Sequence, residues 1–126
     1  MTFEIINPEA FGGRPSGWNH GMLGKSGGKM LFVSGQITPV GDFVAQWDGA
    51  LGRVLEVVRS AGGKAEDIGR MVVYITDRPA YLASLSELGQ VHRKHMGRHY
   101  PAMAVVEVKS LVDSKALVEI EAVAVL

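Results

Sequence analysis

The stretch from Pro101 to Leu126 constrains the fold more than any other part of the chain. It holds two strand-like runs, Pro101–Val108 and Ala116–Leu126, joined by a short polar link. In the second run the even positions are Ala116, Val118, Ile120, Ala122, Ala124 and Leu126, all apolar. The odd positions are Leu117, Glu119, Glu121, Val123 and Val125. Successive side chains of a strand point to opposite faces, so this run has one wholly apolar face and one mixed face. A strand with one face in water would be polar along that whole face. Both faces are therefore expected to be covered, with Glu119 or Glu121 beside a partly dry cleft.

Most of the chain fits around that strand as one domain spanning residues 1–126. Residues Thr2–Ile6 form a short strand candidate closed by Asn7-Pro8. Glu9–Gly21 is rich in Gly, Pro, Ser and Asn and reads as an ordered loop. Met22–Lys25 and Lys29–Gln36 flank Ser26-Gly27-Gly28, a hairpin signal. From Gln46 to Ala61, Trp47, Leu51, Val54, Leu55 and Val58 recur at helical spacing, and Gly62-Gly63 ends the pattern. Ile68–Thr76 is a strand, apolar on both faces. Asp77-Arg78-Pro79 opens a second helix from about Ala80 to Met96, which Gly97 ends. The order is β, β-β, α, β, α, β, β: an α/β (α+β) two-layer sandwich in which both helices cover one face of a mixed sheet. The other face stays largely apolar, which predicts a homo-oligomer packed through its sheets.

Composition narrows the function. Thirteen basic and thirteen acidic residues give a formal charge of zero, which argues against a nucleic-acid partner. The chain has no cysteine, hence no disulfide and no thiol nucleophile. No signal pattern and no apolar run near ~20 residues is present, so no membrane partner and a cytoplasmic location are expected.

Few residues suggest chemistry. Glu119 and Glu121 share a face; they are either surface carboxylates or a water-handling base in an intersubunit cleft. Glu107 is expected near this pair, or paired with Lys109 or Lys115. Gly24-Lys25-Ser26 fails as a phosphate loop, because Asn19 stands where its first glycine belongs and a strand follows. His92, His95 and His99 lack a carboxylate at helical spacing, so no metal is expected; His92-Arg93-Lys94-His95 and Arg98 read as cations at a helix C-terminus, the alternative being an RNA-binding patch that lacks interleaved aromatics. Trp18 either plugs its loop onto the domain or walls a ligand pocket, and His20 beside it is a proton-transfer candidate. Ser34 and Gly35 end a strand where backbone N–H groups can approach a ligand.

Several motifs together resemble the Rid (YjgF) family of reactive-intermediate deaminases. They are Val33-Ser34-Gly35-Gln36-Ile37, the Ile68–Asp77 stretch, Gly97-Arg98-His99-Tyr100-Pro101-Ala102, Val106-Glu107-Val108 and Val118–Ala124. The resemblance spans the chain from about Gly28 onward. It implies a chorismate-mutase-like fold and a homotrimer with three intersubunit clefts for a small-molecule ligand. It also implies hydrolysis of imines or enamines to keto compounds and ammonia, without a cofactor. By this resemblance Glu119 handles the attacking water, Ser34 and Gly35 supply backbone, and Trp18 lines the cleft with Met103 and Val105. His20 would return a proton. The family's carboxylate-gripping arginine is absent, because Met103 follows Pro101-Ala102. The family's asparagine in the second helix is also absent, with Gly89 nearest. Arg14, His20 or Lys109 are the alternative anchors. A non-catalytic metabolite-binding trimer is the competing reading, and RNA-directed activity a weaker one.

Overall fold

The computed structural model describes residues 3–25 and 27–126. Its central layer is a four-stranded mixed sheet of β3 (Met30–Gln36), β4 (Ile68–Ile75), β5 (Ala102–Glu107) and β6 (Val118–Val125), ordered β3-β6-β4-β5. The β4–β5 pair is parallel and the other pairs are antiparallel. Helices α1 (Phe43–Ser60), α2 (Arg78–Ala83) and α3 (Leu85–Met96) follow the strands they connect. This is the two-layer α+β architecture expected from the element order.

Strand β6 holds the core because of its parity. Val118, Ile120, Ala122 and Ala124 are buried, while Glu119, Glu121, Val123 and Val125 stay half-buried on the opposite face. Met71, Val73 and Ile75 of β4 join the buried side. The stripe Trp47, Leu51, Val54, Leu55 and Val58 of α1 packs on them. Each such side chain contributes roughly 1.5–3 kcal/mol on leaving water. Helix α1 starts earlier than the apolar stripe, because the Asp42 carboxylate caps it by accepting from the Ala45 N–H at 2.9 Å. Gly62, at φ 87°, takes the left-handed turn that ends it.

Three expectations need correction. The Met22–Lys25 run does not form a hairpin with β3. As β2 (Gly21–Gly24) it pairs antiparallel with β1 (Phe3–Ile6) in a separate two-stranded sheet. Lys29 instead exchanges backbone hydrogen bonds of 2.8 Å with Leu126, which starts β3 alongside β6. Phe3 is buried with its ring over Gly69, where a Cβ would stand 2.7 Å from the ring. The expected first residue Thr2 and turn residue Ser26 lie outside the described residues.

The second helix is two helices. Asp77 caps α2 by accepting from the Ala80 N–H at 2.9 Å, and the chain breaks at Ser84 before α3. Finally, β5 and β6 are not neighbours, because β4 lies between them. Glu107 is therefore remote from the Glu119–Glu121 pair, and it pairs with neither Lys109 nor Lys115. Its carboxylate accepts from the Arg78 N–H at 2.7 Å at the start of α2.

Candidate functional site

The two carboxylates of β6 share a face but differ in surroundings. Register sets Tyr74 of β4 opposite Glu119 and Val72 opposite Glu121. The Tyr74 side chain leans along the strand, and its hydroxyl donates a short hydrogen bond to Glu121. That bond to a carboxylate holds the phenol above the usual tyrosine range. Glu121 is thus engaged.

Glu119 has no side-chain hydrogen bond or ion pair among the described residues. Its carboxylate lies against Gly35, where the β3–β6 register shifts between Val33 and Gln36. A Cβ at Gly35 would stand 2.7 Å from Glu119 Cδ and Oε2. Only glycine leaves this space, so Gly35 makes the carboxylate's place. Ser34 is exposed beside it, and Gln36 Nε2 donates to Ser34 Oγ at 3.1 Å.

A second region opens on the helix side of the sheet, where β5 forms the edge. Met103 and Val105 pair with Met71 and Val73, which places them on the helix-facing side. They line a cleft of about 640 Å³ between β5 and α3. Trp18 and Gly17 close one wall; Trp47 and Tyr81, stacked at 5.8 Å, stand in another. Gly89, His92 and Arg93 of α3 and Tyr100 also line it.

Trp18 reaches the cleft because the residue after it is anchored. Asn19 is 2 % exposed, and its amide donates to the Tyr100 carbonyl at 2.6 Å. Asn7 Nδ2 donates to Asn19 Oδ1 at 2.8 Å, and Asn19 N–H donates to the Pro101 carbonyl. The loop is thereby bridged to the start of β5. Trp18 is thus a cleft wall. His20 packs edge-on against Trp18 with ring centroids 4.5 Å apart, and against Phe11 at 5.4 Å. No hydrogen bond or ion pair joins His20 to Glu119.

The α3 histidines have separate partners. His92 stacks flat on Tyr100 at 4.7 Å, and its Nε2 meets the His99 carbonyl at 2.8 Å. Burial lowers its pKa below the usual histidine value, partly offset by that carbonyl. His99 Nε2 meets the Ile68 carbonyl at 2.7 Å, and His95 meets Asp48, which Lys94 also contacts at 2.9 Å. Sequence reasoning set His92 and Arg93 aside as helix-end cations. The one-turn spacing of Gly89 and Arg93 on α3 was the available signal that they share a face with the cleft. Arg14 and Lys109 are not among the residues lining it.

The expected site residues therefore fall in two groups. Ser34, Gly35 and Glu119 are on the open sheet face; Trp18, Met103 and Val105 are in the cleft on the helix side. One chain does not bring them together.

The endoribonuclease L-PSP family model matches residues 16–126. The chain belongs to the Rid/YjgF family. A Haemophilus influenzae protein of the RutC family is 33 % identical over 106 residues, covering 78 % of this chain and 80 % of that one. The crystal structure of the Rid-family protein YyfB from Yersinia pestis superposes with a TM-score of 0.85 at 32 % identity, with all of both chains covered. Escherichia coli TdcF, solved with bound serine, aligns with a TM-score of 0.69 at 29 % identity over 98 % of each chain. The Rid/YjgF match covers the motifs from Ser34-Gly35 to Glu119. No helix among the described residues is long and apolar enough to cross a membrane.

Proposed function

We propose that this Rid-family chain hydrolyses a small imine or enamine in composite clefts of a homotrimer. Glu119 and Gly35 of one copy would face the Trp18–Met103–Val105 cleft of the next. The observation that carries this reading is the unengaged Glu119 carboxylate, held against Gly35 on a sheet face that also carries exposed apolar side chains. That face exposes Met30 at 61 % and Phe32 at 72 % in a single chain. Such apolar area in one patch is ordinarily covered by another molecule. Covering it with a second copy removes water around Glu119 and favours its acting as a base.

In the reaction, water attacks the electrophilic carbon of the protonated C=N group. A C–O bond forms while Glu119 takes the water proton. The carboxylic acid so formed passes that proton to nitrogen, and the C–N bond breaks as the new hydroxyl gives its proton to Glu119, so that ammonia leaves a carbonyl product. Glu119 then releases this last proton, the one the protonated C=N group brought, to ammonia or solvent and is a carboxylate again. No oxidant or cofactor is needed for the balance. His20 packs edge-on against Trp18, and in this reading it supports that ring while Glu119 carries the protons.

The test is ammonia release from imines generated in situ by an amino-acid oxidase. Glu119→Gln is expected to reduce the rate at least about 100-fold, the range of a removed general base, with oligomeric state unchanged. Undiminished turnover in that variant would refute the mechanism. A binding-only trimer is the second reading, favoured by Met103 standing where the family grips a carboxylate; it predicts ligand affinity without ammonia release. TdcF with its bound serine is compatible with either. The family model's endoribonuclease description finds little support in a chain of zero formal charge.

A further inference from the structure

Met103 leaves the cleft without a cation on β5, yet a guanidinium reaches it from the opposite wall. Arg93 lines the cleft one helical turn after Gly89. A Cβ at Gly89 would meet Arg93 Nη1 at 3.6 Å, so the guanidinium lies back over the glycine. Arg93 has no ion pair and no side-chain hydrogen bond among the described residues. An arginine fork with its donors unused, beside an apolar cleft, suits a planar carboxylate.

The rest of the cleft describes what that carboxylate is attached to. In a single chain it measures about 640 Å³, within the range of sites that take ligands larger than a three-carbon acid. Trp18, Tyr100 and the Trp47–Tyr81 stack offer aromatic surface. We infer that the cleft binds carboxylates bearing an aromatic side chain, with Arg93 as the anchor that replaces the missing strand arginine. This rests on the reading of the cleft as the ligand site, and it fixes the substrate class as aryl-substituted 2-imino acids.

The chain's two tryptophans both line the cleft, so intrinsic fluorescence reports occupancy directly. The probes are phenylpyruvate, which mimics the hydrolysis product; phenylacetone, which carries a methyl in place of the carboxylate; and pyruvate, which lacks the ring. Phenylpyruvate is expected to bind about tenfold tighter than either, the gain of one charge-assisted contact in a partly exposed site. Arg93→Gln should erase its advantage over phenylacetone and leave phenylacetone binding unchanged. Arg93→Lys should recover only part, because an ammonium cannot form the fork. Arg93 is exposed, so these variants are expected to fold. Equal binding of phenylpyruvate and phenylacetone to the unmodified protein, or an undiminished preference in Arg93→Gln, overturns the anchor. Pyruvate binding as tightly as phenylpyruvate, or no probe binding at all, overturns the aromatic class. None of these affinities decides whether Glu119→Gln still releases ammonia, so failure here is distinguishable from failure of the hydrolytic reading.

Discussion

Replacing Gly35 by alanine isolates the position of the Glu119 carboxylate from its chemistry. The new Cβ would lie 2.7 Å from Cδ and Oε2 and 2.9 Å from Cγ, whereas ordinary contact begins at 3.4 Å. The carboxylate must therefore retreat by roughly 1 Å, and the obstructing atoms belong to a movable side chain rather than to backbone. Gly35 is not among the glycines at positive φ, so alanine suits its backbone. Rotating Glu119 costs on the order of 1 kcal/mol, and the stiffer unfolded chain returns about 0.4–1 kcal/mol. Thermal stability should then stay within about 3 °C of the unmodified protein. A misplacement of that size costs about 100-fold in turnover. The assay is ammonia release in the coupled oxidase system, run beside a thermal melt. Glu119→Gln combined with Gly35→Ala should be no slower than Glu119→Gln alone, because both act through one carboxylate. Full activity in Gly35→Ala would refute the assignment, and so would a loss in the double variant that multiplies the two single effects.

Phe32→Glu puts a charge on the open sheet face; if the proposed trimer packs through that face, the variant should run as a 13.5 kDa species in light scattering and lose ammonia release with the composite cleft. His92 has its pKa depressed by burial, with His99, Arg93 and His95 also opposing its protonation. Its contribution to stability is thus present above the unfolded value of about 6.5 and is lost as pH falls from there through the lower folded value; His92→Gln should flatten the drop in urea midpoint between pH 7.5 and 5.5.

The α+β architecture and the buried faces of β6, β4 and α1 were legible because strict periodicity survives in each element. The stripe from Trp47 to Val58 and the even positions of β6 read the same way in sequence and structure. The pairing of strands was not legible. Ser26-Gly27-Gly28 has the composition of a tight turn, but the Lys29–Leu126 backbone exchange commits β3 to a strand distant in sequence. Local turn chemistry carries no information about such long-range bonds. The break at Ser84 was hidden for a related reason: leucines continue through it, so apolar spacing alone reads one helix where the backbone makes two.

The same limit explains why parity put the two carboxylates on one face but could not separate them. Alternation places Glu119 and Glu121 on one face whatever lies beside β6. Which of them remains unengaged depends on β4 being its neighbour and on the register that puts Tyr74 opposite Glu119. A tyrosine directly across a ladder can reach its diagonal neighbour as well as its opposite one. Here it takes the diagonal, to Glu121, while the bulge in β3 brings Gly35 under Glu119. One engaged acid and one unengaged acid thus arise from two features, a sheet order and a bulge, that no single strand encodes. If that division of roles holds, Tyr74→Phe should leave turnover within about twofold, since it frees only Glu121. A loss approaching that of Glu119→Gln would mean that the two carboxylates act as one unit sharing a proton.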